Sequence, residues 1–385
     1  MKAKLKLFAI YILRMIMNIL HIFPVKKGRI IFFSFHGKQY SCSPKYISEY
    51  LSENFPGQFE IIWAFREPEK FAFLKEKGIK TVKYASFMRL YYESTAQVSI
   101  NNIGSFSWIP LRKNQLHINT WHGGGCYKKT SLGESRNSDI MNKTLLMTAQ
   151  ETSYMISSSR FSTEYVIPND FGYKGDVLNI GLPRNDILIN GDRNSVSEKV
   201  RKHFDIPPNE DIILYAPTWR YDNAEEIVMP DIKKKKKSYE KRFGKKCVFI
   251  FRAHSWMLCK ASSENFIDGS DYPDMQELLL TCDMLLSDYS SCIWDYSLTY
   301  RPCLLFTPDL DKYVEERGFD IDIMRWGFPV CRTMKELNEQ ICNFDMDDFR
   351  AKMKKHQEDL GNYDTGVSCE KLGKLLYDFC FDVAE

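Results

Sequence analysis

Asn119-Thr120-Trp121-His122-Gly123-Gly124-Gly125, followed by Lys128 and Lys129, is the first of four segments in which residue type and spacing could do chemistry. A histidine at the end of an apolar run, freed from side-chain crowding by three glycines, can meet a substrate, and its near-neutral pKa suits proton abstraction. The glycines expose backbone N–H groups that could hold phosphate oxygens, which makes Gly123 and Lys128 candidate substrate contacts. A sharp turn with a structural histidine is the plainer reading. The second segment is Tyr215-Ala216-Pro217-Thr218-Trp219-Arg220. A strand that ends in proline cannot continue a central ladder, so the Thr218 hydroxyl and Arg220 guanidinium project into the loop layer. There Arg220 either binds phosphate through its planar fork or anchors the loop in an ion pair.

The third segment, Phe251-Arg252-Ala253-His254-Ser255, again runs into Arg and His. Arg252 beside an anionic leaving group, with His254 donating to it, would be sensible chemistry; a packing histidine is the alternative. The fourth is Leu286-Ser287-Asp288-Tyr289-Ser290-Ser291, with Asp295 one turn later and a matching run from Thr307 to Glu316-Arg317-Gly318. Ser290 and Ser291 at a helix start would offer hydroxyls and first-turn amides to a diphosphate, although N-capping alone explains Ser or Asp there. Asp-x-Asp occurs at Asp309/Asp311, Asp320/Asp322 and Asp345/Asp347, too often to specify a metal. No metal site is expected and no cofactor is required, although a divalent cation is compatible with the site. Walker A, dinucleotide Gly-x-Gly-x-x-Gly and Gly-x-Ser-x-Gly signatures are missing.

Open parallel sheets hold ligands just beyond the carboxyl ends of their strands, so these segments call for strands that end where they begin. Apolar runs at 29–35, 59–65, 79–83, 97–101, 115–121, 154–158 and 177–180 alternate with helical stretches, the signature of a parallel α/β sheet. After a polar stretch at 190–197 the rhythm restarts with strands expected at 211–216, 247–252, 284–287 and 303–307. The tail reads as helices at 334–342, 347–360 and 370–382. The expected architecture is therefore two Rossmann-like domains facing a cleft, 25–190 and 191–362, with a helix at 363–385 among the C-terminal helices that close it. The run Lys233–Lys237 reads as a solvated loop, or as a contact for an anionic polymer or lipid.

The 385 residues are 44% apolar and 27% charged, which excludes wholesale disorder and a polytopic membrane protein. Net charge is +3, yet the first 48 residues carry +9 and the remainder −6. A basic start on a mildly acidic body argues against nucleic-acid binding and for a local anionic surface. Eleven scattered cysteines without Cys-x-x-Cys spacing read as reduced thiols. Residues 5–23 are almost continuously apolar, but Arg14 would cost about 2.5–3.5 kcal/mol at a bilayer centre. A helix over residues 1–24 with Lys4, Tyr11, Arg14, Asn18 and His21 on one stripe is expected to lie in a membrane interface. A helix packed on the protein's own core is the alternative.

With Thr120-Trp121-His122-Gly123, Gly181-Leu182-Pro183-Arg184-Asn185-Asp186, Ala216-Pro217-Thr218-Trp219-Arg220 and Ser287-Asp288-Tyr289-Ser290-Ser291 through Glu316-Arg317-Gly318 in this order, the chain resembles the CDP-glycerol glycerophosphotransferase family, the primases and polymerases of teichoic-acid-like polymers. The resemblance runs from about Gly28 to Cys380. It implies a GT-B-like fold, a CDP-glycerol or CDP-ribitol donor, transfer of polyol phosphate to a hydroxyl of a lipid-linked acceptor, and CMP release at the cytoplasmic face of the membrane. Position by position, it makes His122 the general base and His254 the second essential histidine. Arg184, Thr218, Arg220, Arg252, Ser290 and Ser291 become phosphate and nucleotide contacts, with Asp288 as a third catalytic candidate and Glu316 in the same site. Two departures stand out: Gly124-Gly125-Cys126, where a small polar residue and proline are common, and Ser255, where proline is common. Neither removes a reactive group. A GT-B glycosyltransferase using a nucleotide sugar, and a non-catalytic membrane-docked scaffold, are the competing functions.

Overall fold

β1 (Lys26–Phe33) buries all of its last six residues, Gly-Arg-Ile-Ile-Phe-Phe. A strand buried on both faces belongs inside a parallel sheet covered by helices on both sides. The structure, a computed structural model, describes residues 2–125, 127–218, 220, 228–253 and 265–381. The chain divides into two units: Met1–Gly123, Thr130–Asp186 and Asn362–Glu385 form the first, and Gly124–Lys129 with Ile187–Gly361 the second.

The first unit holds a seven-stranded parallel sheet. Its other strands are β2 (Glu60–Phe65), β3 (Lys80–Lys83), β4 (Ala96–Asn101), β5 (Leu116–Asn119), β6 (Tyr154–Ile156) and β7 (Asp176–Leu178), in the order β3-β2-β1-β4-β5-β6-β7. The period of two along β1 sends Ile30 and Phe32 to one face, with Trp63, Phe65, Val98 and Ile100, and Ile31 to the other, with Ile62 and Ala96. The helix Ser368–Phe381 completes the first of these faces with Leu372, Leu376 and Cys380, each leucine contributing about 1.5–3 kcal/mol of burial.

The Gly181–Asp186 segment docks that helix. Gly181 has φ +83°, and a Cβ there would lie 2.8 Å from the backbone of Tyr363 and Asp364. The Leu182 N–H donates to Asp364 Oδ1 at 2.7 Å. The Asp186 carboxylate accepts the Ser368 and Cys369 N–H groups at 3.0 and 2.7 Å, satisfying first-turn donors where the helix dipole favours a negative charge.

The N-terminal helix Lys2–Leu20 packs Met17 and Leu20 on Phe106 and Ile109. Arg14 does not sit on an outward polar stripe: Nη1 donates to the Ser107 carbonyl at 2.9 Å and Nη2 pairs with Glu151 Oε1 at 2.6 Å. The helix leaves Leu5, Phe8, Ile12, Met15 and Ile19 exposed, continued by Ile22, and with them the polar Lys4, Lys6 and Asn18. No described helix is long and apolar enough to cross a membrane.

The second unit holds a six-stranded parallel sheet of β8 (Asp211–Tyr215), β9 (Cys247–Phe251), β10 (Ile267–Asp268), β11 (Met284–Ser287), β12 (Cys303–Phe306) and β13 (Val330–Cys331), ordered β10-β9-β8-β11-β12-β13. The lysine run is not a loop but part of the helix Ile232–Phe243, capped by the Asp231 side chain and ended by Gly244 at φ +72°. Ile232, Lys235, Ser238 and Tyr239 face inward, and the Lys235 ammonium donates to the Met334 carbonyl at 2.9 Å. The two units together give the GT-B-like α/β fold, and the crevice of each sheet lies where its strand order reverses, beyond β1 and β4 in one and beyond β8 and β11 in the other.

Candidate active site

In the first unit, β4 and β5 end side by side, with Asn101 opposite Asn119. Both asparagines fold the chain back sharply: Asn101 Oδ1 accepts the N–H groups of Ile103 and Gly104 at 2.9 and 2.8 Å, and Asn119 Oδ1 accepts that of Trp121 at 2.9 Å. Trp121 takes the left-handed conformation at φ +51°, costly for a bulky residue. The turn delivers His122 to the crevice edge, its Nδ1 2.6 Å from the Asn102 carbonyl oxygen. A carbonyl only accepts, so Nδ1 carries the proton and the lone pair lies on Nε2. The Trp121 ring, at 4.1 Å between centroids, and the Phe35 ring, edge-on at 5.5 Å, flank the imidazole. Asn102 holds Phe35 too, through a 2.9 Å bond from the Phe35 N–H to its Oδ1.

The glycines after His122 serve a purpose the sequence did not suggest. A Cβ on Gly124 would lie 2.2 Å from Trp294 Cδ1, and one on Gly125, at φ +65°, would lie 2.9 Å from Trp294 Cε3. They permit close packing on Trp294 within the second unit. Gly123 is the last residue before the chain enters that unit. Lys128 then bridges to Phe319, and the Lys129 N–H reaches the Gly318 carbonyl at 3.4 Å, which places Lys128 along the turn that follows Glu316 at the end of the helix Leu310–Glu316.

Asp288 follows β11 and is the hub of the second unit's crevice. Its Oδ1 accepts the Thr218 hydroxyl at 2.6 Å, the Thr218 N–H at 2.8 Å and the Tyr289 N–H at 2.6 Å; its Oδ2 pairs with Arg220 Nη1 at 2.9 Å. Arg220 is further gripped by Asp309, from Nε at 2.6 Å and Nη2 at 3.1 Å, and lies over the rings of Tyr289 and Tyr313. Burial works against its charge, but Asp288 and Asp309 outweigh burial and hold its pKa above the ordinary value. Burial would likewise raise the Asp309 pKa, yet Arg220 and the Tyr289 hydroxyl hold it below the usual carboxylate value. Arg220 is thus held in ion pairs with Asp288 and Asp309. Thr218 shares the anchor.

Arg252, after β9, differs. Its Nη1 donates to the carbonyls of Gly269 and Tyr272 at 3.0 and 2.7 Å, and among the described residues Nε and Nη2 have no partner. Burial pushes its pKa down and Asp274 offsets that only in part. A guanidinium in that condition gains most from an added anion. Ser290 and Ser291 precede the helix Cys292–Ser297, the Ser290 hydroxyl accepting the Cys292 N–H at 3.4 Å. Asp295 is buried and accepts from Gln276 Nε2 at 2.9 Å. Arg184 belongs to the first unit and the other expected phosphate contacts to the second; its N–H lies 3.4 Å from Ser43 Oγ and its Nη1 3.4 Å from Cys42 Sγ. His254 lies outside the described residues.

Residues 15–378 match the family described as CDP-glycerol:poly(glycerophosphate) glycerophosphotransferase. The chain belongs to this family. It is 30% identical over 345 residues to the teichoic acid poly(glycerol phosphate) polymerase of Bacillus subtilis, matching 85% of this chain and 45% of that protein. It is 31% identical over 320 residues to the teichoic acid glycerol-phosphate transferase of Staphylococcus aureus, 77% of this chain and 78% of that one. The chain spans about half the length of the first of these relatives. Among solved structures, the wall teichoic acid polymerase TagF superposes with a TM-score of 0.82 at 27% identity, covering all of this chain and 98% of that one.

Three further residues of this glycerophosphotransferase-family chain went unrecognised as site residues in the sequence. Asp309 was visible only as one Asp-x-Asp among several, and Tyr289 only as a member of a motif, yet together they complete the Arg220 clamp, with a 3.0 Å bond from the Tyr289 hydroxyl to Asp309 Oδ1. Asn102, which holds His122 and Phe35, had one signal: two asparagines closing an apolar run.

Proposed function

We propose that this chain transfers a polyol phosphate, glycerol phosphate first, from a CDP-polyol to an acceptor hydroxyl and releases CMP. The observation that carries the reading is the His122 tautomer fixed by the Asn102 carbonyl, which leaves Nε2 as the base in a crevice edge of a family whose name specifies this donor. The acceptor oxygen attacks the phosphorus that bears the polyol, the bond from that phosphorus to the CMP oxygen breaks, and the acceptor proton passes to His122 Nε2. Phosphoryl transfer asks the protein mainly for positioning and charge stabilisation. Arg252, Ser290 and Ser291, with Lys128 and Glu316 near the same loops and His254 as the family resemblance implies, would hold the diphosphate and the departing CMP. Asp288, Thr218 and Arg220 act as positioning residues that fix the loops after β8 and β11. Arg184 and Gly123 in the first unit and Asp295 in the second are further candidate substrate contacts.

The acceptor in this reading is lipid-linked, and the N-terminal helix holds the protein against the anionic cytoplasmic leaflet. Support comes from the exposed stripe Leu5, Phe8, Ile12, Met15, Ile19 and Ile22 and the +9 charge of the first 48 residues, since apolar area and basic residues act together at such surfaces.

Product analysis tests the reaction. The purified chain, given CDP-glycerol or CDP-ribitol with membrane extract as acceptor, should release CMP from at least one of them. Release of CDP or UDP from nucleotide sugars instead would make the protein a glycosyltransferase; nucleotide binding without turnover would make it a scaffold.

A further inference from the structure

The loop after β1 stands at the same crevice edge as His122 and is a strained turn. Phe35, His36 and Gly37 have φ +45°, +57° and +75°, three successive left-handed residues of which only the glycine adopts that state without cost. The turn is held from several sides. Phe35 N–H donates to Asn102 Oδ1 at 2.9 Å, Gly37 accepts the Arg66 N–H at 2.7 Å, and Arg66 Nε donates to the His36 carbonyl at 3.0 Å. A Cβ on Gly37 would collide with Tyr84 at 2.6 Å. Strain kept in place by this many bonds marks a functional position more often than an accident.

The strained turn gathers positive charge. Burial first, and then the cations Arg66, Arg89, Lys38 and Lys6, bring the pKa of the His36 imidazole to about 4. Arg89 is committed to Glu93, at 3.3 Å. Arg66 is exposed, and beyond the bond from Nε to the His36 carbonyl its Nη groups have no partner among the described residues. Lys38 is exposed as well. His36 is neutral at pH 7 and can exchange hydrogen bonds without adding charge.

We propose that His36, Lys38 and Arg66 form an anion site beside His122 that holds a phosphodiester of the acceptor polymer. The inference rests on the proposed function and names its acceptor chemistry. If His122 deprotonates the terminal hydroxyl of a polyol phosphate chain, the other end of that same polyol carries a phosphodiester. The base therefore needs a cationic partner one polyol away. Phe35, whose ring touches His122, is next in sequence to His36. A guanidinium fork and an ammonium suit a phosphodiester's two oxygens.

The test is binding of a synthetic glycerol phosphate trimer to the full chain by calorimetry at low salt, with CDP-glycerol affinity and CMP release measured in parallel. Lys38→Gln and Arg66→Gln should each weaken trimer binding about tenfold, the effect of losing one charge-assisted contact, leave CDP-glycerol affinity unchanged, and lose most of their effect in high salt. Lys113→Gln, an exposed lysine at the amino end of β5, should change nothing. Lys38→Gln changes an exposed residue and decides the matter if the arginine variant fails to fold. Unchanged trimer affinity in the Lys38 variant overturns the site. Failure of the wild type to release CMP from any CDP-polyol overturns the functional reading instead, and trimer binding still decides the anion site.

Discussion

Asp288→Asn separates an anchoring carboxylate from a catalytic one. The carboxylate is buried and takes three bonds on Oδ1 and the Arg220 guanidinium on Oδ2. An Asn amide at the Oδ1 position would face three donors, so the side chain should place it at Oδ2, setting N–H against the Arg220 N–H. The variant then loses a charge-assisted bond and leaves a buried cation with one carboxylate, Asp309, instead of two. Breaking a buried pair costs about 3–5 kcal/mol, and the surviving bidentate Asp309 contact argues for the lower end, about 3 kcal/mol. For a unit of this size that is a fall in melting temperature of roughly 6–12 °C. Calorimetry should show the second unit's transition shifted and the first unit's in place. Adding Arg220→Met should cost less than the sum of the two single changes, because the pair is coupled. Wild-type melting in Asp288→Asn, combined with abolished turnover, would refute the anchor and return Asp288 to the chemistry.

Gly124→Ala puts a Cβ 2.2 Å from the Trp294 ring and should destabilise the second unit by about 1–3 kcal/mol; equal melting temperatures would contradict the close-packing account. His117 and His356 are buried with pKa values lowered to about 4, chiefly by burial. The unfolded chain takes up these protons below about 6.5 and the folded chain only below about 4, so stability is complete above about pH 6.5 and falls as pH drops through that window. His356→Gln should flatten that slope for the second unit in denaturant titrations, and a slope identical to wild type would rule His356 out. Phe8→Ser, Met15→Ser and Ile19→Ser together should abolish sedimentation with anionic liposomes while leaving the fold intact. Deleting the helix is a poorer test, because Met17 and Leu20 fill the core and Arg14 pairs with Glu151. Undiminished sedimentation of the triple variant would contradict membrane docking by this face.

Much of the fold was legible because buried parallel strands are short apolar runs. Met284–Ser287 and the helix Met334–Cys342 fall where the sequence put them, and most other strands shift by one or two residues at their ends. What stayed hidden came from long-range packing. Lys235 occupies a core-facing helical position by sending its ammonium to the Met334 carbonyl, so the lysine run lost its apolar period and read as a loop. Arg14 faces inward because Glu151, far along the chain, receives it. Arg220 was open to two readings because no local sign shows that Asp288 and Asp309 converge on it. His122 stood out as a candidate from its own neighbours, whereas Asn102, which sets its tautomer through a main-chain oxygen, had only the pair of asparagines at the end of an apolar run to mark it.

The most direct test of the account is single-turnover CMP formation by His122→Ala beside a measurement of CDP-glycerol affinity. The account predicts CMP formation reduced about a hundredfold or more, as expected for loss of a general base, with donor affinity within about twofold of wild type. CMP formation close to the wild-type rate, or a loss that follows donor affinity, would contradict the role of His122.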